Sequence, residues 1–129
     1  MQQYNSNMKK FTFAMAAACA FVLVSCGNTP EEAVNNFYTA NKANEFEKAM
    51  TYTDLPDEAR PLVVEFLDSM GMVIHDFEVT GSTMGAGDTT ALVDLHLVTS
   101  NAFNPDSIFD DIVVPCIKDG RTWKVHMNQ

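Results

Sequence analysis

Residues 118–127 read "KDGRTWKVHM", and the way this stretch turns decides how the chain folds. Asp-Gly between alternating apolar and polar residues signals a two-residue β-hairpin, because the tight turn needs positive φ and glycine adopts it without steric cost. With Asp119-Gly120 as the loop, Lys118 pairs with Arg121 in a last strand over 121–127. Cys116 then stands opposite Trp123, Val114 opposite Val125, and Ile112 opposite Met127. Strand side chains alternate between faces, so these three pairs form one inner, core-directed face. Val113, Pro115 and Ile117 share the outer face with Thr122, Lys124 and His126, a partly apolar patch. Pro115 has no N–H to give to a ladder, which predicts a bulge or a locally unpaired edge there.

Working back along the chain, residues 73–80 alternate with period two. His75, Phe77 and Val79 fall on one face and Asp76 and Glu78 on the other. In "TTALVDLHLV", residues 89–98, the inner set is Ala91, Val93, Leu95 and Leu97, opposite Asp94 and His96. Gly81 to Asp88 contains glycines but neither a lysine nor a following helix, so it reads as a turn region and not as a phosphate loop.

Before residue 73 the period is helical. Thr29-Pro30-Glu31-Glu32 supplies an N-cap, a proline at the first helical position and an acid placed to complete a capping box. Val34, Phe37 and Tyr38 form the apolar stripe of a helix over 30–41. Asn44 and Glu47 suggest a second capping box opening a short helix over 45–52, with Phe46, Ala49 and Met50 on one side. Pro56 and Pro61 cannot both sit inside one regular helix. A turn at 56–59 is therefore expected, then a helix with Leu62, Phe66 and Met70 inward and Gly71 as its left-handed stop.

The N-terminus has a different character. Lys9-Lys10 precedes "FTFAMAAACAFVLV", residues 11–24, which carries no charge. A basic start and an apolar run of this length, short for a membrane-spanning helix, make a secretory signal. The true start is then Met8, and residues 1–25 are removed. Leu23-Val24-Ser25-Cys26 resembles the lipobox of bacterial lipoprotein precursors, in which the cysteine is lipidated and becomes the first residue. That resemblance implies a signal peptide over 1–25, lipid attachment and a short tether over 26–28, and a domain over 29–129. It also implies export to the envelope, at the outer membrane, with the membrane as a partner through Cys26.

All seventeen acidic residues follow the cut, whereas Lys9 and Lys10 leave with the signal, so six basic residues remain and the mature net charge is −11. Nucleic acid and anionic headgroups would be repelled. Of the three cysteines, Cys19 leaves with the signal and Cys26 carries lipid, leaving Cys116 as a buried, unpaired apolar filler.

The segments "TPEEAVNNFYTANKANEFEKAM" (29–50) and "KDGRTWKVHM" resemble the nuclear transport factor 2-like superfamily, and within it a family of small bacterial lipoproteins of unknown function. The implied fold is α+β: three N-terminal helices packed on a curved four-stranded antiparallel sheet, cone-like. Enzymes of such a fold need an acid or histidine projecting into the cone. Here the inner face offers no acid, and His75 is its one ionisable ring, with Tyr38 or Tyr52 approaching from the helices. Asp94, His96, Lys124 and His126 share the outer face, where cross-strand charge pairing is the simpler reading than a metal site. The expectation is a non-catalytic accessory or protein-interaction module without metal or cofactor. It would dock a protein partner or a second copy through Val113, Pro115, Ile117, Thr122, Lys124 and His126. The alternative is a binding module that holds a small hydrophobic ligand or peptide in a pocket of Tyr38, Tyr52, His75, Phe77 and Trp123, unless Phe77 and Trp123 fill the cone themselves.

Overall fold

The computed structural model describes residues 27–127, so the expected signal segment and Cys26 lie outside the described residues. Helices α1 (Pro30–Lys42), α2 (Phe46–Met50) and α3 (Arg60–Met70) precede strands β1 (Val73–Met84), β2 (Thr90–Ser100), β3 (Ile108–Asp119) and β4 (Thr122–Val125). The strands form one antiparallel meander in the order β1-β2-β3-β4. The sheet is curved into a cone-like half-barrel with the helices against it.

Helix α1 lies across all four strands. Its start is fixed by the capping box: Glu32 N–H donates to Thr29 Oγ1 at 3.1 Å and Thr29 N–H donates to Glu32 Oε1 at 3.0 Å. Its buried face comprises Pro30, Ala33, Val34, Phe37, Ala40 and Asn41, spaced three or four apart as one helical stripe must be. All twelve apolar residues expected on the inner sheet face, from Phe77 to Met127, pack in or against this core.

Three expectations need correction. Asn44 is not a helix cap: it adopts positive φ (61°), and α2 begins after Glu45 without a side-chain cap. Ala49 and Met50 are wholly buried, so packing holds this five-residue helix where capping does not. On α3, Leu62 and Phe66 are 69% and 60% exposed; Val63, Val64 and Leu67 meet the core instead. The helix rests chiefly on α2 at the cone's mouth, which turns it one residue from the expected face. Gly71 does end it in the left-handed conformation, at φ 62°.

The third correction concerns the sheet. Ladder register shifts between Ile74 and Asp76, so His75 is an extra residue, and Ile74 takes the core position. A second shift between Val79 and Gly81 lets β1 continue to Met84, beyond the expected end. In the last hairpin Asp119 pairs with Thr122, Lys118 with Trp123, and Cys116 with Val125. The two loop residues are thus Gly120, at φ 65°, and Arg121. The register differs by two residues from the expected one, and an even shift leaves every side chain on its expected face.

Pro115 explains why β4 is short. His126 N–H donates to Pro115 O at 2.8 Å, but Pro115 has no N–H to return, so the ladder stops near that point. Beyond it, β3 runs along its outer edge without a β4 partner. At the other end of β4, Asn28 substitutes for a strand. Its Nδ2 donates to Trp123 O at 3.0 Å, and Trp123 N–H donates to Asn28 Oδ1 at 2.7 Å.

Candidate functional site

The cone is filled at one end and open at the other. Trp123 is 5% exposed within the core cluster, with Lys118 Nζ 5.9 Å from its ring centroid. Toward the end where β4 stops, a cleft of about 440 Å³ opens between the helices and the sheet. Helix α1 contributes Phe37, Tyr38 and Asn41, and α2 contributes Phe46 and Met50. Val63 and Leu67 of α3 form the outer wall. The sheet side is made by Ile74, Ile112 and Val114, and Val113, Pro115, His126 and Met127 line the margin.

Of the residues expected in a pocket, only Tyr38 lines this cleft. Phe37 packs edge-on against its ring, 5.0 Å between centroids, and Phe77 lies behind it at 5.9 Å. Burial, with a smaller contribution from Cys116, pushes the Tyr38 phenol up to about 12, so it stays protonated and able to donate. Tyr52 does not line the cleft; its carbonyl accepts from Val125 N–H at 2.8 Å. The bulge leaves His75 exposed, its Nε2 2.8 Å from Ser100 Oγ, and so corrects its expected inward direction.

The expected outer patch is divided by the structure. Val113 is 54% exposed, Thr122 is exposed, and Pro115, Ile117, Lys124 and His126 are half-buried. Val113, Pro115 and His126 also line the cleft, because among the described residues no further strand flanks β3 there. Patch and cleft therefore share a margin.

Two polar features set the chemistry. His126 Nδ1 lies 2.5 Å from Asp54 Oδ2, while Asp54 Oδ1 accepts from Met127 N–H at 2.7 Å. A carboxylate can only accept, so in the neutral ring the proton sits on Nδ1 and Nε2 is an acceptor. Such a ring can accept a hydrogen bond at Nε2. Asn41 is the second feature, a carboxamide on the buried face of α1 whose Oδ1 has no hydrogen-bond partner. The sequence signal for it was available: Asn41 stands four residues after Phe37, on the same stripe.

His96 and Cys116 do not line the cleft. His96 Nδ1 lies 2.8 Å from Asp111 Oδ1 directly across the β2–β3 ladder, away from His126. Among the described residues no three His, Cys, Asp or Glu side chains converge as metal ligands would. Burial, and to a lesser degree Glu31, pushes the Cys116 thiol up to about 12, which keeps it an unreactive thiol.

No family model and no curated protein matches the chain. Among solved structures, the solution structure of a SEC-C motif containing protein from Rhodopseudomonas palustris is similar to it. The match has 15% identity and a TM-score of 0.60, over 85% of this chain and 84% of that one. The crystal structure of the intermembrane space region of chloroplast protein ARC6 matches at 15% identity over 71% of this chain and 92% of that one, with a TM-score of 0.34. The first likeness speaks for the fold alone, and the second carries no argument. The architecture itself, a curved four-stranded antiparallel sheet packed by helices, is consistent with the nuclear transport factor 2-like superfamily.

Proposed function

We propose that this protein is a non-catalytic binding module of the bacterial envelope, tethered by lipid on Cys26, whose cleft holds a small apolar molecule. The carrying observation is the cleft of about 440 Å³, walled by apolar side chains from three helices and the sheet. Its size falls within the range of small-molecule sites, and burial of apolar ligand surface supplies the driving force. The tether rests on Leu23-Val24-Ser25-Cys26 and the basic, apolar leader. No described helix is long and apolar enough to cross a membrane.

Methionines make the binding reading testable. Met50, Met72 and Met127 line the cleft and Met84 does not. In the full chain labelled with ¹³C-methyl methionine, cyclohexane should shift the first three methyl resonances and leave Met84 in place. No shift, or equal shifts at all four, would refute an internal apolar site. Intact mass of the chain from the membrane fraction tests the tether: a mature N-terminus at Cys26 with added acyl mass is expected, and an unmodified, uncleaved chain would refute it.

A second reading is favoured by Val113, exposed beside the unpartnered edge of β3. Through this margin the domain would dock a protein partner or a second copy of itself. Val113→Ser with Ile117→Ser should abolish crosslinked complexes in intact cells at unchanged protein abundance; persistent complexes would exclude this face.

A further inference from the structure

Asn41 Oδ1 is an anomaly in an otherwise apolar wall. The residue is 7% exposed, lines the cleft, and its carbonyl oxygen is the one buried side-chain acceptor or donor among the described residues left without a partner. Buried polar atoms are nearly always hydrogen-bonded, because lost hydration otherwise goes uncompensated. On the buried stripe of α1 an apolar side chain would pack without that penalty. An acceptor retained there is explained by something that brings a donor.

The opposite margin repeats the polarity. In the neutral ring Asp54 holds the Nδ1–H of His126, and Nε2 is then an acceptor on a ring that lines the cleft. Behind that ring stands the Asp54 carboxylate itself, fixed by Met127 N–H. A ligand carboxylate can only accept, so it would leave Asn41 Oδ1 without a donor. The Tyr38 hydroxyl, able to donate or accept, does not alter this balance.

We infer that the cleft takes an apolar alcohol, its hydroxyl donating to Asn41 Oδ1 and its hydrocarbon body lying between α3 and the sheet. This deepens the proposed function and rests on it. At roughly 30 Å³ per non-hydrogen atom, the volume accommodates a molecule of about fifteen such atoms. One hydrogen bond in an apolar site is worth on the order of tenfold in affinity, which sets the size of the expected preference.

The probes are 1-decanol and decanoate, matched in chain length and opposite in head-group chemistry. Titrated into the methyl-labelled full chain, decanol should shift Met50, Met72 and Met127 at about one tenth the concentration that decanoate requires. Asn41→Leu should weaken decanol on the order of tenfold. It should also raise the thermal midpoint of the unliganded chain, since an unpartnered acceptor has been removed; a purely structural asparagine would lower it. Asn41→Ala, which cannot overfill the site, should lose decanol to the same extent. Equal affinities for decanol and decanoate, or full decanol affinity in both variants, would overturn the inference while a cyclohexane response keeps the apolar site standing. Silence to cyclohexane would overturn both.

Discussion

Trp123→Ala tests the arrangement of the sheet. The indole is 5% exposed, packed in the cluster that joins α1 to β2, β3 and β4. An aromatic side chain of its class buries about 150–250 Å², which at about 25 cal/mol per Å² corresponds to roughly 4–6 kcal/mol. Alanine keeps part of that, and partial collapse of the cavity recovers more, so about 3–5 kcal/mol is expected. The Lys118 ammonium over the ring adds little, about 0.5–1 kcal/mol at an exposed site. Since the chain has one tryptophan, its fluorescence cannot follow the variant; urea unfolding by far-UV circular dichroism can. At a slope of about 1–3 kcal/mol per molar, the midpoint should fall by at least about 1 M. Thr122→Ala, one residue earlier and exposed, should stay within about 0.5 kcal/mol. A loss under about 1 kcal/mol for Trp123→Ala would mean that β4 presents its other face to the helices.

Two further outcomes follow from other parts of the molecule. On α3, Leu67→Ala should cost at least about 1 kcal/mol more than Phe66→Ser in the same urea assay, because Leu67 meets the core and Phe66 faces solvent; the reverse order would restore the 62/66/70 face. Tyr38 and Cys116 titrate higher in the folded chain than their ordinary values of 10.0 and 9.0, each rising to about 12. The native state therefore holds protons that the unfolded chain releases, so stability should fall as pH rises from about 9 to 12, and Cys116→Ala should flatten the lower part of the fall. A flat melting profile over that window would refute the burial of both groups.

The inner sheet face was legible because strand parity is robust: the last hairpin moved by two residues, and Cys116, Trp123 and Val125 still reached the core. His75 was not, since a one-residue bulge inverts parity locally and nothing in "VIHDFEV" marks where the ladder slips. Helix α3 misled for another reason. "LVVEFL" supports two adjacent apolar stripes, 62/66 and 63/67, and only its seat on α2 selects between them. Asn44 satisfies the capping pattern, yet its positive φ serves the turn between α1 and α2. The cleft was hidden by the same logic that revealed the faces. Parity sets Val113 and Pro115 apart from Ile112 and Val114, but where β4 gives out all four border one opening.

The bond between Asn28 and Trp123 also has a mechanical side. Asn28 follows Cys26 by two residues, a span of roughly 7 Å when fully extended. Traction on a chain anchored at Cys26 would pass through Gly27, which lies against the Arg121 carbonyl, and then load the two hydrogen bonds of 3.0 and 2.7 Å that join Asn28 to the main chain of Trp123. The capping box of α1 comes next along the line, so the sheet margin takes the load before the helix cap does. On a chain so anchored, Gly27 and Asn28 would serve as a strain relief: a pull would peel the rim of β4 while the seating of α1 on the sheet stays undisturbed.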